Sequence, residues 1–253
     1  MRYFLEIAFD GTKYHGWQKQ SNGLSIQQVI EEKLSLKLKH NIRVIGCGRT
    51  DTGVHARQFF LHFDWHQSII LNDFLLNLNR FFPNDIAAKS IHIVKPDAHA
   101  RFSAIERTYK YYIDTQKNPF NRQFSFEFTL PLNIELMNRA CELLLHNDDF
   151  TSFSKLHGGQ HNNLCKLTEC FWEKTDQQLI FTISSNRFTR NMVRAIVGTM
   201  IDIGMEKVSI LKLKNIIESR NRCFAGQSVE AKGLFLEKVV YPIEIFTDSF
   251  RPY

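Results

Sequence analysis

The sequence predicts a β-sheet covered by helices, of the α+β or α/β class, and three observations predict it. Some short runs alternate apolar and polar residues with the period of a strand, others repeat apolar residues at helical spacing, and the two kinds are interspersed along the chain. Composition agrees: 253 residues with 43% hydrophobic and 23% charged, but only six Pro and twelve Gly, can bury a sizeable core and do not resemble a disordered or collagen-like chain.

Taken in order, Tyr3, Leu5, Ile7 and Phe9 alternate with Phe4, Glu6 and Ala8, and Asp10-Gly11 ends this strand in a turn. Ser25-Ile26-Gln27-Gln28 has the form of a capping box, after which Ile26, Val29, Ile30 and Leu34 recur along one helical face. Strands are expected over 42–47 and over the aromatic-rich 54–65, with a loop between them, then a helix over 72–81 and strands over 86–94 and 104–115. In the second half a helix opens at Asn133 with Leu136, Met137, Ala140, Cys141 and Leu144 on one face. Strands follow over 166–174 and 179–185, a helix over 190–205, a helix capped by Ser209, and a last strand over 234–241. No linker, low-complexity tract or internal repeat interrupts the chain, so the two halves, 1–100 and 101–253, are expected to share one continuous sheet.

Several classes are excluded. Apolar runs are only a few residues long, as in Phe74-Leu75-Leu76, and charge interrupts the N-terminus before a signal-like segment forms, so no membrane association or export is expected. Cys47, Cys141, Cys165, Cys170 and Cys223 are odd in number and show no paired framework, which points to a reducing cytoplasm. The net charge of +6 favours polyanionic partners and is unevenly spread: residues 187–222 hold eight basic against three acidic side chains. Residues 99–122 hold five against two, with Phe102, Tyr109, Tyr111, Tyr112 and Phe120 interleaved. Such alternation suits phosphate contact with base stacking, and suits equally a solvated face over a sheet.

The densest cluster of reactive types is Gly48-Arg49-Thr50-Asp51-Thr52-Gly53-Val54-His55-Ala56. Two glycines permit a tight backbone, and an arginine beside a carboxylate keeps it ionised for use as nucleophile or base. The other reading is a turn whose aspartate caps its own backbone. The segment lacks the Gly-Lys-Ser/Thr end of a P-loop and is not a dinucleotide fingerprint.

This nine-residue segment resembles the signature loop of the TruA family of tRNA pseudouridine synthases, whose members usually carry Ala where this chain has Thr52. The segment from Phe9 to Gln18 is similar to the family's opening motif. Further blocks match in order: Phe102-Ser103-Ala104 with Arg107, Tyr109 and Tyr111; Asp149 to Phe153; Met192 to Gly198; and Gly233-Leu234-Phe235-Leu236. The resemblance implies an α+β pseudouridine synthase fold, two ferredoxin-like halves with a joined sheet, flanking helices and a central cleft. It implies conversion of uridine to pseudouridine at tRNA positions 38, 39 and 40 in the anticodon stem-loop, by a homodimer, without cofactor or metal.

By the same resemblance Asp51 is the catalytic aspartate that attacks the target nucleotide, on base or sugar. Arg49 matches the arginine that enters the space left by the flipped nucleotide. Tyr109 matches the tyrosine that stacks on the target base, a candidate for the proton step at C5; Arg194 matches the arginine paired with the aspartate, and Leu234 a pocket residue against the base. From pattern alone, Arg194 on an apolar helix face also fits outward snorkelling, and Tyr109 fits an ordinary sheet aromatic. Trp17 and its neighbouring lysines are further candidates for RNA contact.

Three departures concern substrate detail: Thr52, Glu230 where a proline is common, and a 155–166 segment low in arginine. His157, His161, Cys165 and Cys170 fall close enough together to raise zinc. Their order, His-x3-His before cysteines separated by four residues inside an expected strand, is not that of structural zinc sites. A paralogous synthase acting on ribosomal or other RNA, and a non-catalytic RNA-binding module, are the competing functional readings.

Overall fold

Among the described residues, 1–155 and 162–247, the computed structural model clusters into two units: Met1–Ile105 with the segment from Leu236, and Glu106–Phe235. The first unit contains β1 (Arg2–Phe9), α1 (Ile26–Leu38), β2 (Ile45–Gly46), β3 (His55–Asp64), α2 (Leu71–Phe81), β4 (Ile86–Val94) and most of β9 (Leu234–Val240). Its strands lie in the order β4-β1-β3-β9, with β2 also on β3 and β1 antiparallel to both neighbours. Strand β3 thus sits between β1 and β2, the split β-α-β plan of ferredoxin-like folds.

The alternating residues of β1 are covered on both faces. Tyr3, Phe4, Leu5 and Ile7 are all fully buried. Phe4 packs against Phe60, His62, Tyr241 and Phe246, because the chain's return from Leu236 covers the face that pattern alone leaves open. Helices α1 and α2 pack together, and α2 lies on β4. Ser25 caps α1 as the sequence predicts, accepting the Gln28 N–H at 3.3 Å.

The strand expected over 42–47 shrinks to Ile45–Gly46 for a visible reason. Side chains of α1 take the backbone groups of the preceding residues: Ser35 accepts from Ile42 N–H, Glu31 accepts from Val44 N–H, and Gln27 donates to the Val44 carbonyl. Those groups are satisfied without a ladder.

The second unit repeats the plan with β5 (Glu106–Asp114), β6 (Phe126–Glu127), α3 (Ile134–Leu145), β7 (Leu167–Lys174), β8 (Gln178–Ser185), α4 (Met192–Gly204) and α5 (Ile210–Ser219). Strand β8 lies between β5 and β7, antiparallel to each, and the short β6 runs parallel to β5. The fold is therefore α+β. Asn133 and Ser209 cap α3 and α5 through their side chains, and α3 packs on β7 and against α4 and α5. Helix α4 is buried along nearly its whole length, Arg194 and Asp202 being its half-exposed residues. No helix among the described residues is long and apolar enough to cross a membrane.

Candidate active site

In the first unit the conspicuous loop joins β2 to β3 and is held at the backbone. On its entry side Cys47 N–H bonds to Phe60 O at 2.7 Å. On its exit side Val54 N–H bonds to Asp51 O at 3.2 Å, closing the turn Asp51-Thr52-Gly53-Val54. Gly53 takes φ +76°, at the third position where a type II turn calls for glycine. Asp51 stands at the first corner, and its backbone carbonyl closes the turn.

A second segment braces the loop from behind. Gly16, at φ +77°, lies so close to the Thr50 carbonyl that a Cβ there would collide with it. Trp17 N–H donates to the same carbonyl at 3.3 Å, and Gly53 N–H donates to Tyr14 O at 3.4 Å. A Cβ on Gly11 would collide with the Val54 carbonyl, so this approach too requires glycine. Gly11 N–H also donates to His55 Nδ1 at 3.1 Å. Asp10 Oδ1 lies at the same distance, 3.1 Å, from that nitrogen. Ile26 N–H to Gly16 O and Gln27 N–H to Trp17 O tie the brace to the start of α1. The register of β1 against β3 also slips between Ile7 and Phe9, beside this loop.

Side chains along the loop divide accordingly. Arg49 and Thr52 are exposed, Asp51 is half-buried, and Thr50 is buried with a hydroxyl that has no hydrogen-bond partner among the described residues. Trp17, offered by the sequence as an RNA contact, is instead core: it is 2% exposed, with its ring centroid 4.2 Å from that of Phe59.

The second unit carries Tyr109, Arg194 and Leu234. Tyr109 is half-buried on β5, edge-on to Phe188 with centroids 5.1 Å apart. Leu234 is buried at the start of β9. Arg194, in the first turn of α4, does not snorkel off an amphipathic face, because the helix is buried around it. Its Nε donates to Val229 O at 2.7 Å, and Val229 N–H returns a bond to Arg194 O at 3.2 Å.

Residues 225–230 form a strap along α4 that sequence reasoning did not find. Gly226 N–H donates to Thr199 Oγ1 at 2.9 Å, and Gly198 has no Cβ to strike the Gln227 carbonyl. Tyr111 OH donates to Glu230 O at 2.8 Å, and burial pushes that phenol well above its ordinary range, so it remains a donor. Glycines at 198 and 226 were the only pattern that marked this close approach.

Of the cysteines raised with zinc, Cys165 and Cys170 are buried. Burial pushes the Cys165 thiol up to about 11, and burial with a bond to Cys141 raises Cys170 well above its ordinary value. Both environments favour the thiol over the thiolate that binds metal. His157 and His161 lie outside the described residues.

Residues 140–242 match the family model described as tRNA pseudouridine synthase. The chain is 49% identical over 247 residues to a protein of Bacteroides fragilis named tRNA pseudouridine synthase A, covering 97% of this chain and 98% of the relative. It is 46% identical to the protein of that name from Bacteroides thetaiotaomicron, over 99% and 94%, and 36% identical to the one from Bacillus subtilis, over 95% and 99%. With half its residues shared from end to end with such a relative, and Asp51 seated on a backbone-clamped turn, this chain belongs to the tRNA pseudouridine synthase A family.

Proposed function

We propose that the chain isomerises uridine to pseudouridine at positions 38, 39 and 40 of the tRNA anticodon stem-loop, with Asp51 as nucleophile and the target base flipped from its stack. That it is an isomerase forming pseudouridine in tRNA follows from its family. The finer reading rests on one observation: the half-buried Asp51 sits at the corner of a turn braced on its far side by Gly16, so the carboxylate is presented on a rigid backbone.

The chemistry follows from the bonds exchanged. The bond from the ribose to the uracil ring nitrogen breaks, one to C5 forms, and the C5 proton moves to the freed nitrogen. Product and substrate are isomers, so the balance needs no electron or group donor. Asp51 attacks the target nucleotide and holds it while the ring turns. A base paired in a stem cannot turn in place, so it is extruded at a cost of a few kcal/mol and stacked on an aromatic face, the role proposed for Tyr109. Arg49 fills the space left behind, and Leu234 packs on the base. Arg194 pairs with the Asp51 carboxylate and orients it. A homodimer in the cytoplasm completes the reading, and five free cysteines agree with that compartment.

The test is incubation with an unmodified tRNA transcript bearing uridines at 38 to 40, without added metal or cofactor, and mapping of pseudouridine at single-nucleotide resolution. Product confined to those positions, lost in Asp51→Ala with tRNA affinity retained, is the expected result. Substantial turnover by Asp51→Ala refutes the nucleophile. Product only on ribosomal or other RNA refutes the substrate.

A further inference from the structure

We infer that Ser228 is a positioning residue for Arg194, acting through the strap that runs beside α4. The inference rests on the proposed pairing of Arg194 with the nucleophile.

The Ser228 hydroxyl is a junction. Asn191 Nδ2 donates to its Oγ at 2.6 Å and Arg222 Nη2 at 2.9 Å, so both acceptor sites of the hydroxyl are occupied. Arg222 Nη1 donates to Ala225 O at 3.2 Å, which ties the same guanidinium to the strap's beginning. Asn191 is the residue at which α4 starts, and it holds φ +67°, a left-handed conformation that asparagine tolerates better than most side chains. Ser228 therefore fastens the strap to the first turn of the helix that carries Arg194, and to the 3-10 turn Arg222–Phe224.

The next residue along the strap shows what this fastening does. Val229 O takes the single Nε–H of Arg194. With that hydrogen committed, the guanidinium plane is fixed, and a carboxylate is received by Nη1 and Nη2. A bidentate contact of that kind tolerates little rotation. The position of the Val229 carbonyl therefore sets the aim of the guanidinium, and Ser228 sets the position of the carbonyl against α4.

The test compares Ser228→Ala, Ser228→Thr and Asn191→Gly in the full chain under single-turnover and steady-state conditions with tRNA. Asn191→Gly keeps a residue suited to positive φ while removing the donor, so it remains informative where Ser228→Ala folds poorly. Expected are a fall in kcat on the order of tenfold or more with KM for tRNA unchanged, and recovery in Ser228→Thr, which keeps the hydroxyl. A purely structural role moves none of these at a temperature where the variants are folded. Folded Ser228→Ala and Asn191→Gly with kcat within twofold of wild type overturn the inference, as does a loss of kcat that Ser228→Thr fails to recover. Arg194→Lys separates the two readings. Wild-type kcat in Arg194→Lys refutes the role given to Arg194 itself, whereas an impaired Arg194→Lys beside an unimpaired Ser228→Ala refutes the positioning inference alone.

Discussion

Replacing Gly16 by alanine tests whether the Asp51 turn is rigid because of the backbone behind it. Gly16 has φ +77°, and an added Cβ would collide with the Thr50 carbonyl and come within 3.1 Å of the Asp51 carbonyl carbon. Holding an L-residue in the left-handed region costs about 1–2 kcal/mol. Forcing a methyl group against backbone that cannot rotate away adds about 1–3 kcal/mol. The sum, about 2–5 kcal/mol, corresponds to a drop of roughly 5–15 °C in Tm for a chain of this size. Relief of the clash moves Thr50, and Asp51 with it, and a displacement near 1 Å at the proposed nucleophile reduces turnover by about a hundredfold. Gly48 is the control: among the described residues, its chain neighbours aside, no atom lies within 4 Å of its added Cβ and its φ is not positive, so Gly48→Ala changes stability by less than about 0.5 kcal/mol. Thermal unfolding of both variants, with single-turnover rates on tRNA for Gly16→Ala, decides. A Gly16→Ala protein with wild-type Tm and rate refutes the brace, and so does a Gly48→Ala protein that falls as far as Gly16→Ala.

Two further predictions concern buried titratable groups. His62 is 4% exposed and accepts the Ala100 N–H through Nδ1 at 3.0 Å; burial first, then Arg2 and His99, push it from 6.5 down to about 4. Its folded value lies below its unfolded one, so its contribution to stability is complete above pH 6.5 and is lost as pH falls toward 4. Discounted for solvent screening, the loss is on the order of 2 kcal/mol, and His62→Gln should flatten the urea-unfolding profile across that window; an unchanged profile refutes the assignment. Among the five cysteines Cys223 is exposed and the other four are buried, so a maleimide at neutral pH should label one thiol per folded chain, at Cys223, and early labelling of Cys165 or Cys170 would contradict their placement.

Much of the fold was legible because its signals are local. The caps at Ser25, Asn133 and Ser209 lie within three residues of the N–H groups they accept from, and each starts a helix as expected. What was not legible depended on distant partners. Residues 42–44 read as a strand by pattern, yet Ser35, Glu31 and Gln27 on α1 claim their backbone groups. The return of the segment from Leu236 to the first unit has no local signature, although it covers Phe4 through Tyr241 and Phe246. At the site, the reactive types of the 48–56 loop stood out, whereas Gly16 and Ser228 did not. Their importance lies in what they approach, Thr50 in one case and Asn191 with Arg222 in the other.

Two of the three departures from the family pattern, Thr52 and Glu230, acquire a physical meaning; half of the third, the 155–166 segment, lies outside the described residues. Thr52 is the second residue of the Asp51 turn, a position compatible with most side chains, and its own side chain is exposed. The brace acts on Thr50, Gly53 and Val54, so exchanging Ala for Thr at 52 leaves every backbone constraint on Asp51 in place. Glu230 stands at φ −57° and ψ 148°, a conformation that proline also adopts. The carbonyl that receives Tyr111 OH is therefore oriented alike with either residue. What glutamate adds is an exposed ion pair with Lys232 at 3.0 Å, of a kind worth about 0–1 kcal/mol, and what it forgoes is proline's stiffening of the unfolded chain, about 0.4–1 kcal/mol. Both exchanges fall where the backbone is fixed by neighbours and not by the residue itself. The elements that orient Asp51 and Arg194 are thereby insulated from them, which locates the chain's freedom to vary in surface chemistry and not in the geometry of its site.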